Sequence, residues 1–318
     1  MKAWRVNELG EPRDVLKLEE IPDPTPGAGE LLVRTLATPA NFPDVLLCRG
    51  DYQIKPPLPF TPGVELCGEV LAVGDGVSRF AVGDRVIGNP NLPLGGFAEQ
   101  TVMAEANVFP APTALDDAEA STLSIGYQTS WFALHRCTQL KPGETLLVHA
   151  AAGGVGSSAV QLGKAAGATV IGVVGGPEKA EYCRRLGADL VIDRHSEDFV
   201  PIVKEFTGGR GADVIYDPVG GDTYTKSTKC IAFEGRILVI GFAGVLFLGL
   251  PNMEGTASAA GIGMVLLATM LYGVAFNVSG PLQRRNGALS VIWRAQLVAL
   301  VAAAPFGAPG LASSTPTV

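Results

Sequence analysis

Charge is scarce in this chain, and cysteine and histidine are scarcer still. Charged residues make up 17% of the 318 positions against 47% hydrophobic ones, which excludes wholesale disorder and leaves ample material for a buried core. A formal net charge of −7 excludes the basic face that a nucleic-acid binder needs, so no nucleic-acid partner is expected. The five cysteines, Cys48, Cys67, Cys137, Cys183 and Cys230, contain no pair with zinc-finger or redox spacing, which points to reduced thiols. Of the three histidines, His149 ends an apolar run, where it is expected to bond backbone, and His135 and His195 read as surface or helix-end residues. The opening Met1-Lys2-Ala3-Trp4-Arg5 has no apolar run behind its charges, so a soluble cytoplasmic protein is expected, with no membrane partner.

What is present falls into three stretches. Residues 1–122 carry short apolar runs such as Leu31-Leu32-Val33 and Glu69–Val73, separated by turn clusters at Pro22–Gly27, Gly74-Asp75-Gly76 and Val82-Gly83-Asp84. Prolines this dense exclude long helices, and a compact, partly open β-barrel is expected. Residues 123–244 alternate. Apolar runs at Thr145–His149, Thr169–Val174, Leu190–Ile192, Val214–Tyr216 and Arg236–Ile240 are interleaved with helical stretches at Gly154–Ala166, Glu178–Leu186, Ser196–Phe206 and Asp222–Ile231. This alternation means βαβ units on a parallel, doubly wound sheet. Residues 245–318 follow neither pattern. They hold no Lys and no Asp, their charges are Glu254, Arg284, Arg285 and Arg294, and Ala259–Val278 is an uncharged run long enough to span a bilayer.

The run Thr145–His149 leads through Ala150-Ala151-Ala152-Gly153-Gly154-Val155-Gly156 directly into a helix, in the pattern A-x-x-G-x-x-G. Gly153 lets the backbone approach a pyrophosphate, Gly156 lets the helix pack on the strand, and Gly154 and Val155 open the helix whose free N–H groups would meet the anion. The end of the second strand selects the cofactor. An NAD site places a carboxylate there for the ribose 2′-hydroxyl. Here Gly175-Gly176-Pro177-Glu178-Lys179 follows, with Lys179 placed to meet a 2′-phosphate and Glu178 expected to point away, so NADPH is favoured.

With Asn41-Phe42-Pro43-Asp44, Arg49-Gly50-Asp51-Tyr52, Pro62-Gly63-Val64-Glu65, Val82–Val86 and Lys141-Pro142-Gly143-Glu144 running on to Gly156, residues 1–244 resemble the zinc-free quinone oxidoreductases of the medium-chain dehydrogenase/reductase superfamily. The resemblance implies a GroES-like N-terminal barrel, a Rossmann domain and a cleft between them. It places Asn41 and Thr129 at the nicotinamide, Gly153, Gly154, Val155 and Gly156 at the pyrophosphate, and Gly175, Lys179 and Arg194 around the 2′-phosphate. Val239 to Phe242, Gly241 included, would line the cofactor cleft, and Tyr52 would face the substrate carbonyl. A second tyrosine common in the family is replaced by Leu46. Asp44 is given a positional role. Dimerisation through the Rossmann-sheet edge is also implied, although the residues themselves leave the oligomeric state open.

Zinc-dependent relatives place Cys and His where this chain has Asn41 and Val64, and no metal site is expected. Hydride transfer to an already electrophilic quinone or α,β-unsaturated carbonyl asks mainly for positioning and exclusion of water, which fits the absence of an acid–base pair. The Asn-Phe-x-Asp-Val-Leu start at Asn41–Leu46 is shared with enoyl reductases, so an enoyl-thioester reductase is the nearest alternative. A nucleotide-binding or membrane-associated protein without turnover is the alternative from another class. The family's terminal barrel strands have no counterpart after Gly244. Either a translated frameshift or a hydrophobic anchor fits the tail, and the lost strands favour the frameshift.

Overall fold

The computed structural model describes residues 1–240. The expectations for Gly241, Phe242 and the tail 245–318, its apolar run included, lie outside the described residues. Among the described residues no helix is long and apolar enough to cross a membrane.

The chain opens with β1 (Lys2–Val6), α1 (Pro12–Val15) and β2 (Leu16–Glu20), with β1 and β2 paired antiparallel. Next come β3 (Glu30–Ala37), α2 (Phe42–Arg49), β4 (Leu66–Val73), β5 (Arg85–Gly88), β6 (Gln100–Ala104) and β7 (Val108–Pro110). The last five strands form one antiparallel sheet in the order β6-β3-β4-β5-β7. Its inner face buries Leu31, Val33, Leu66, Val70, Val86, Met103 and Val108. The alternation along β3, where Leu31 and Val33 are buried and Arg34 is exposed, is that of a sheet with one wet face.

A helical passage leads into the second half: α3 (Asp117–Ser121), a wide-wound segment Leu123–Tyr127, α4 (Gln128–Trp131) and a second wide-wound segment Phe132–Cys137. The expected boundary at residue 122 falls on the C-cap of α3, Thr122. Then follow β8 (Thr145–His149), α5 (Gly154–Ala165), β9 (Thr169–Val174), α6 (Pro177–Arg185), β10 (Leu190–Asp193), α7 (Phe199–Phe206), β11 (Ala212–Asp217), α8 (Asp222–Ser227) and β12 (Ile231–Val239).

These five strands are parallel, in the order β10-β9-β8-β11-β12. All five residues of β8 are buried. Leu146 and Val148 pack on one face with Val160 and Tyr216, and Leu147 packs on the other with Ile171 and Ile215. A strand covered on both faces has to be apolar throughout, which is why this run stands out in the sequence.

Three boundaries differ from expectation by three residues or more. The helix expected from Ser196 starts at Phe199, because the Asp198 carboxylate accepts the Val200 N–H and caps it there. The helix expected to reach Ile231 ends at Ser227, and the last strand begins at Ile231 rather than Arg236. Ile231 already pairs with Ala212; the register then shifts, with Glu234 at φ 63°, before Arg236 pairs with Val214. A bulge of this kind hides a strand start from a periodicity reading.

Candidate active site

At the carboxyl end of β8 the chain turns through Ala150, whose φ of 48° lies in the left-handed region that costs a non-glycine residue roughly 1–2 kcal/mol. Gly153 N–H donates to Ala150 O at 2.8 Å, and Ala151 N–H donates to Val173 O at 3.1 Å, which together pin the turn. Gly153 is the N-cap of α5, so the N–H groups of Gly154, Val155 and Gly156 open the helix without intrahelical acceptors. A methyl group on Gly156 would sit 2.1 Å from Ala150 O, so this glycine is required by close approach of helix and loop. A methyl group on Gly154 would meet nothing within 4 Å beyond its own helix and neighbours, so the loop is open on that side.

Beside this loop is a cavity of about 370 Å³. Gly153, Gly175, Lys179 and Arg194, four of the residues expected at the cofactor, all line it, with Val173, Phe199 and Val219 as an apolar wall. Glu178 is exposed and is not on this wall. The Asp193 carboxylate accepts from Gly176 N–H at 2.9 Å and His195 N–H at 3.0 Å, and those two bonds hold it below the usual carboxylate range. Asp193 therefore shapes the turn carrying Gly175 and Gly176. The donor set fits a dinucleotide: a helix N-terminus for the pyrophosphate, an apolar wall, and two cations among the lining residues.

His149 also lines the cavity but is 2% exposed. The structure corrects the expectation of a backbone bond: its Nε2 meets the Ser227 hydroxyl at 2.9 Å, and its ring stands edge-on to Phe199. Burial pushes its pKa down to about 4, so it is neutral at physiological pH.

The other expected residues gather where the barrel meets the helical passage. Asn41 caps α2, and the Asp44 carboxylate returns a bond to Asn41 N–H at 2.8 Å while also accepting from Gly63 and Val64 N–H. Asn41 Nδ2 donates to Glu65 Oε1 at 3.0 Å, and Glu65 Oε2 accepts Ile125 N–H at 2.7 Å. Glu65, 1% exposed, was not singled out as a functional residue by its sequence context. Thr129 sits half-buried in α4. Its neighbour Ser130 anchors a buried hydroxyl cluster, meeting Ser158 Oγ at 2.8 Å and Tyr216 Oη at 2.9 Å and donating to Val155 O. That cluster ties α4 to the first turn of α5.

Tyr52 is not brought to an open cleft. It is 3% exposed and packs with Val6, Val15, Leu46, Leu47 and Phe60, and burial pushes its phenol up to about 12. The leucine that replaces the family's second tyrosine is part of the same apolar cluster.

A zinc ion does not fit here. The Asn41 side chain faces Glu65 with a donor NH₂, Val64 is apolar, and Glu65 already serves two donors.

Two family models match the chain. Residues 27–113 match the alcohol dehydrogenase GroES-like domain, and residues 154–254 match the zinc-binding dehydrogenase family. The chain is 39% identical over 246 residues to quinone oxidoreductase-like protein 2 homolog of Nematostella vectensis, covering 76% of this chain and 66% of that protein. It is 37% identical over 259 residues to quinone oxidoreductase of Pseudomonas aeruginosa, covering 81% and 76%. Among solved structures, a mycobacterial protein complexed with NADPH superposes with a TM-score of 0.69 at 36% identity, over 76% of this chain and 74% of that one. The chain therefore belongs to the zinc-free quinone oxidoreductase branch of the medium-chain dehydrogenase/reductase superfamily, and is an oxidoreductase enzyme that uses a nicotinamide cofactor.

Proposed function

We propose that this protein transfers hydride from NADPH to quinones or α,β-unsaturated carbonyls, without zinc. The observation that carries the choice of NADPH is the placement of Lys179 and Arg194 on the wall of the cavity that Gly153 also lines. Two cations there attract a 2′-phosphate, which a carboxylate in the same place would repel. The NADPH-bound mycobacterial relative supports the same choice.

Within this reading the chain's own residues bind and orient. The first turn of α5 takes the pyrophosphate, Gly175 keeps the backbone clear beside Arg194 and His195, and Asn41 and Thr129 border the nicotinamide. The bound nicotinamide supplies the hydride. Reduction of a quinone balances with one proton taken up from solvent, giving hydroquinone and NADP⁺. The chain has to hold donor and acceptor at about 3–3.5 Å and keep water away, and neither task needs a side-chain acid on the reacting atoms.

Fluorescence titration with NADPH and NADH in parallel tests the cofactor, and a screen of quinones, enones and enoyl thioesters tests the acceptor. Tight binding selective for NADPH with turnover of quinones or enones is the expected result. Equal affinity for NADH refutes the cofactor choice. Preference for acyl thioesters transfers the protein to the enoyl-reductase reading, which the Asn-Phe-x-Asp-Val-Leu start favours.

A further inference from the structure

Glu65 is the buried link between the barrel and the dinucleotide-binding half. It immediately precedes β4 and is 1% exposed, and its backbone carbonyl is fixed by the Thr38 hydroxyl at 2.8 Å. One carboxyl oxygen accepts from Asn41 Nδ2 on α2, and the other from Ile125 N–H in the wide-wound segment ahead of α4. The residue after Ile125 abuts the phosphate loop: a methyl on Gly126 would lie 3.5 Å from Gly154 O. A single side chain thus joins Asn41 to the element that packs on the start of α5.

The partners of Glu65, the Asn41 amide and the backbone N–H groups of Ile125 and Ser124, are all donors. Only a carboxylate offers two acceptor oxygens, so an ionised Glu65 satisfies them all and holds the Asn41 amide with its NH₂ inward. A protonated carboxyl, or a glutamine, offers a donor at one end. The Ile125 N–H cannot rotate, so that donor must face Asn41, and the Asn41 amide must turn over to present its oxygen.

We propose that Glu65 is a positioning residue of the active cleft, whose two acceptor oxygens fix the orientation of the Asn41 amide and tie it to the helical segment that abuts the phosphate loop. This rests on the reading above in placing Asn41 at the nicotinamide. At 1% exposure Glu65 touches no substrate and acts through Asn41. Its protonation is within reach. Burial pushes its pKa up to about 7, the bonds from Asn41 and from the Ile125 and Ser124 backbone pull it down, and the nearby carboxyl group of Asp44 on α2 pushes it up. The orientation of Asn41 is therefore set by pH in the neutral range, and the NH₂-inward orientation is the one that the ionised form requires.

The test begins on the cofactor-free protein. The side-chain amide resonances of Asn41, assigned by comparison with Asn41→Ser, are followed by ¹⁵N NMR from pH 5.5 to 8.5. We expect them to shift with a midpoint near 7, and to stay at their low-pH position throughout in the isosteric Glu65→Gln. Resonances that do not move with pH in the wild type overturn the proposal. In the loaded enzyme, quinone turnover should fall as pH drops through about 7. Glu65→Gln should lower kcat about tenfold or more without that pH limb, while changing the NADPH Kd less than about threefold. Turnover that instead falls as pH rises through 7 would make Glu65 a proton donor and also overturns the proposal. If the NMR titration appears but no quinone or enone is reduced, the proposed function fails and the orientation of Asn41 by Glu65 stands.

Discussion

Replacing Gly156 with alanine should separate what the phosphate loop needs for folding from what it needs for binding. The added methyl would lie 2.1 Å from Ala150 O, 2.8 Å from Ala150 C and 2.9 Å from Ala151 Cα. All three are backbone atoms, so no rotamer change relieves the clash. Contacts of this kind are not made below 3.0 Å, and the helix and loop must therefore part by at least 3.0 − 2.1 = 0.9 Å. Overpacking of this size costs about 1–3 kcal/mol of stability. The same displacement moves the N–H groups of the first turn of α5 by a large fraction of a hydrogen-bond length. NADPH affinity should then fall by about tenfold or more, since 1.4 kcal/mol is one decade. Gly154→Ala is the matched control. Nothing lies within 4 Å of its methyl, so stability should stay within about 0.5 kcal/mol of wild type, while a methyl on the open face of the loop still weakens NADPH binding. Urea unfolding and NADPH fluorescence titration on the two variants read both quantities. A Gly156→Ala protein with wild-type stability and wild-type NADPH affinity would refute the close-approach argument.

Three further outcomes are expected. Lys179→Ala and Arg194→Ala should each weaken NADPH about fivefold, on the order of 1 kcal/mol for an exposed charge pair, and leave NADH within about twofold, as measured by parallel titration. Tyr216→Phe removes one member of the Ser130 hydroxyl cluster but leaves Ser130 with Ser158 and Val155, so urea unfolding should show a loss of about 1 kcal/mol with NADPH binding unchanged. Two buried groups should nearly cancel in the acid range. Glu65 is raised from 4.5 to about 7, mainly by burial, so the native state binds its proton more readily and its contribution to stability is lost as pH rises between those values. His149 is lowered from 6.5 to about 4, mainly by burial, so its contribution is lost as pH falls between those values. Each displacement of about 2.5 is worth about 3 kcal/mol, and the signs are opposite. Wild-type stability should vary less with pH between 4.5 and 6.5 than that of Glu65→Gln, which should expose the His149 slope, with stability rising toward pH 6.5. A flat Glu65→Gln profile would contradict this.

The residues that were legible beforehand are those whose physics is local. Thr145–His149 had to be apolar throughout to sit between two covered faces, and Gly153 to Gly156 follow it directly, so strand, loop and helix were readable as one unit. The cavity gathers Gly153, Gly175, Lys179 and Arg194 because the loops after β8, β9 and β10 emerge side by side in a parallel sheet. Glu65 was legible only as a residue unable to hold zinc by itself. Two of its donors come from positions 41 and 125, and nothing in the local sequence announces either contact. Tyr52 failed for a related reason: a turn tyrosine looks the same in sequence whether its ring meets the cleft or, as here, Val6, Val15 and Phe60. The His149 contact with Ser227 spans 78 positions, and the bulge near Glu234 breaks the period by which a strand start is recognised.

Ala150 bears on how quiet the loop is before any ligand arrives. Glycine at a φ of 48° would also visit the mirror-image and extended basins, whereas for alanine the left-handed well is a narrow one. The alanine therefore trims the ensemble of the empty loop at a fixed energetic cost borne by the folded protein. The conformational entropy that a glycine turn would surrender on ligand binding has here already been surrendered in folding.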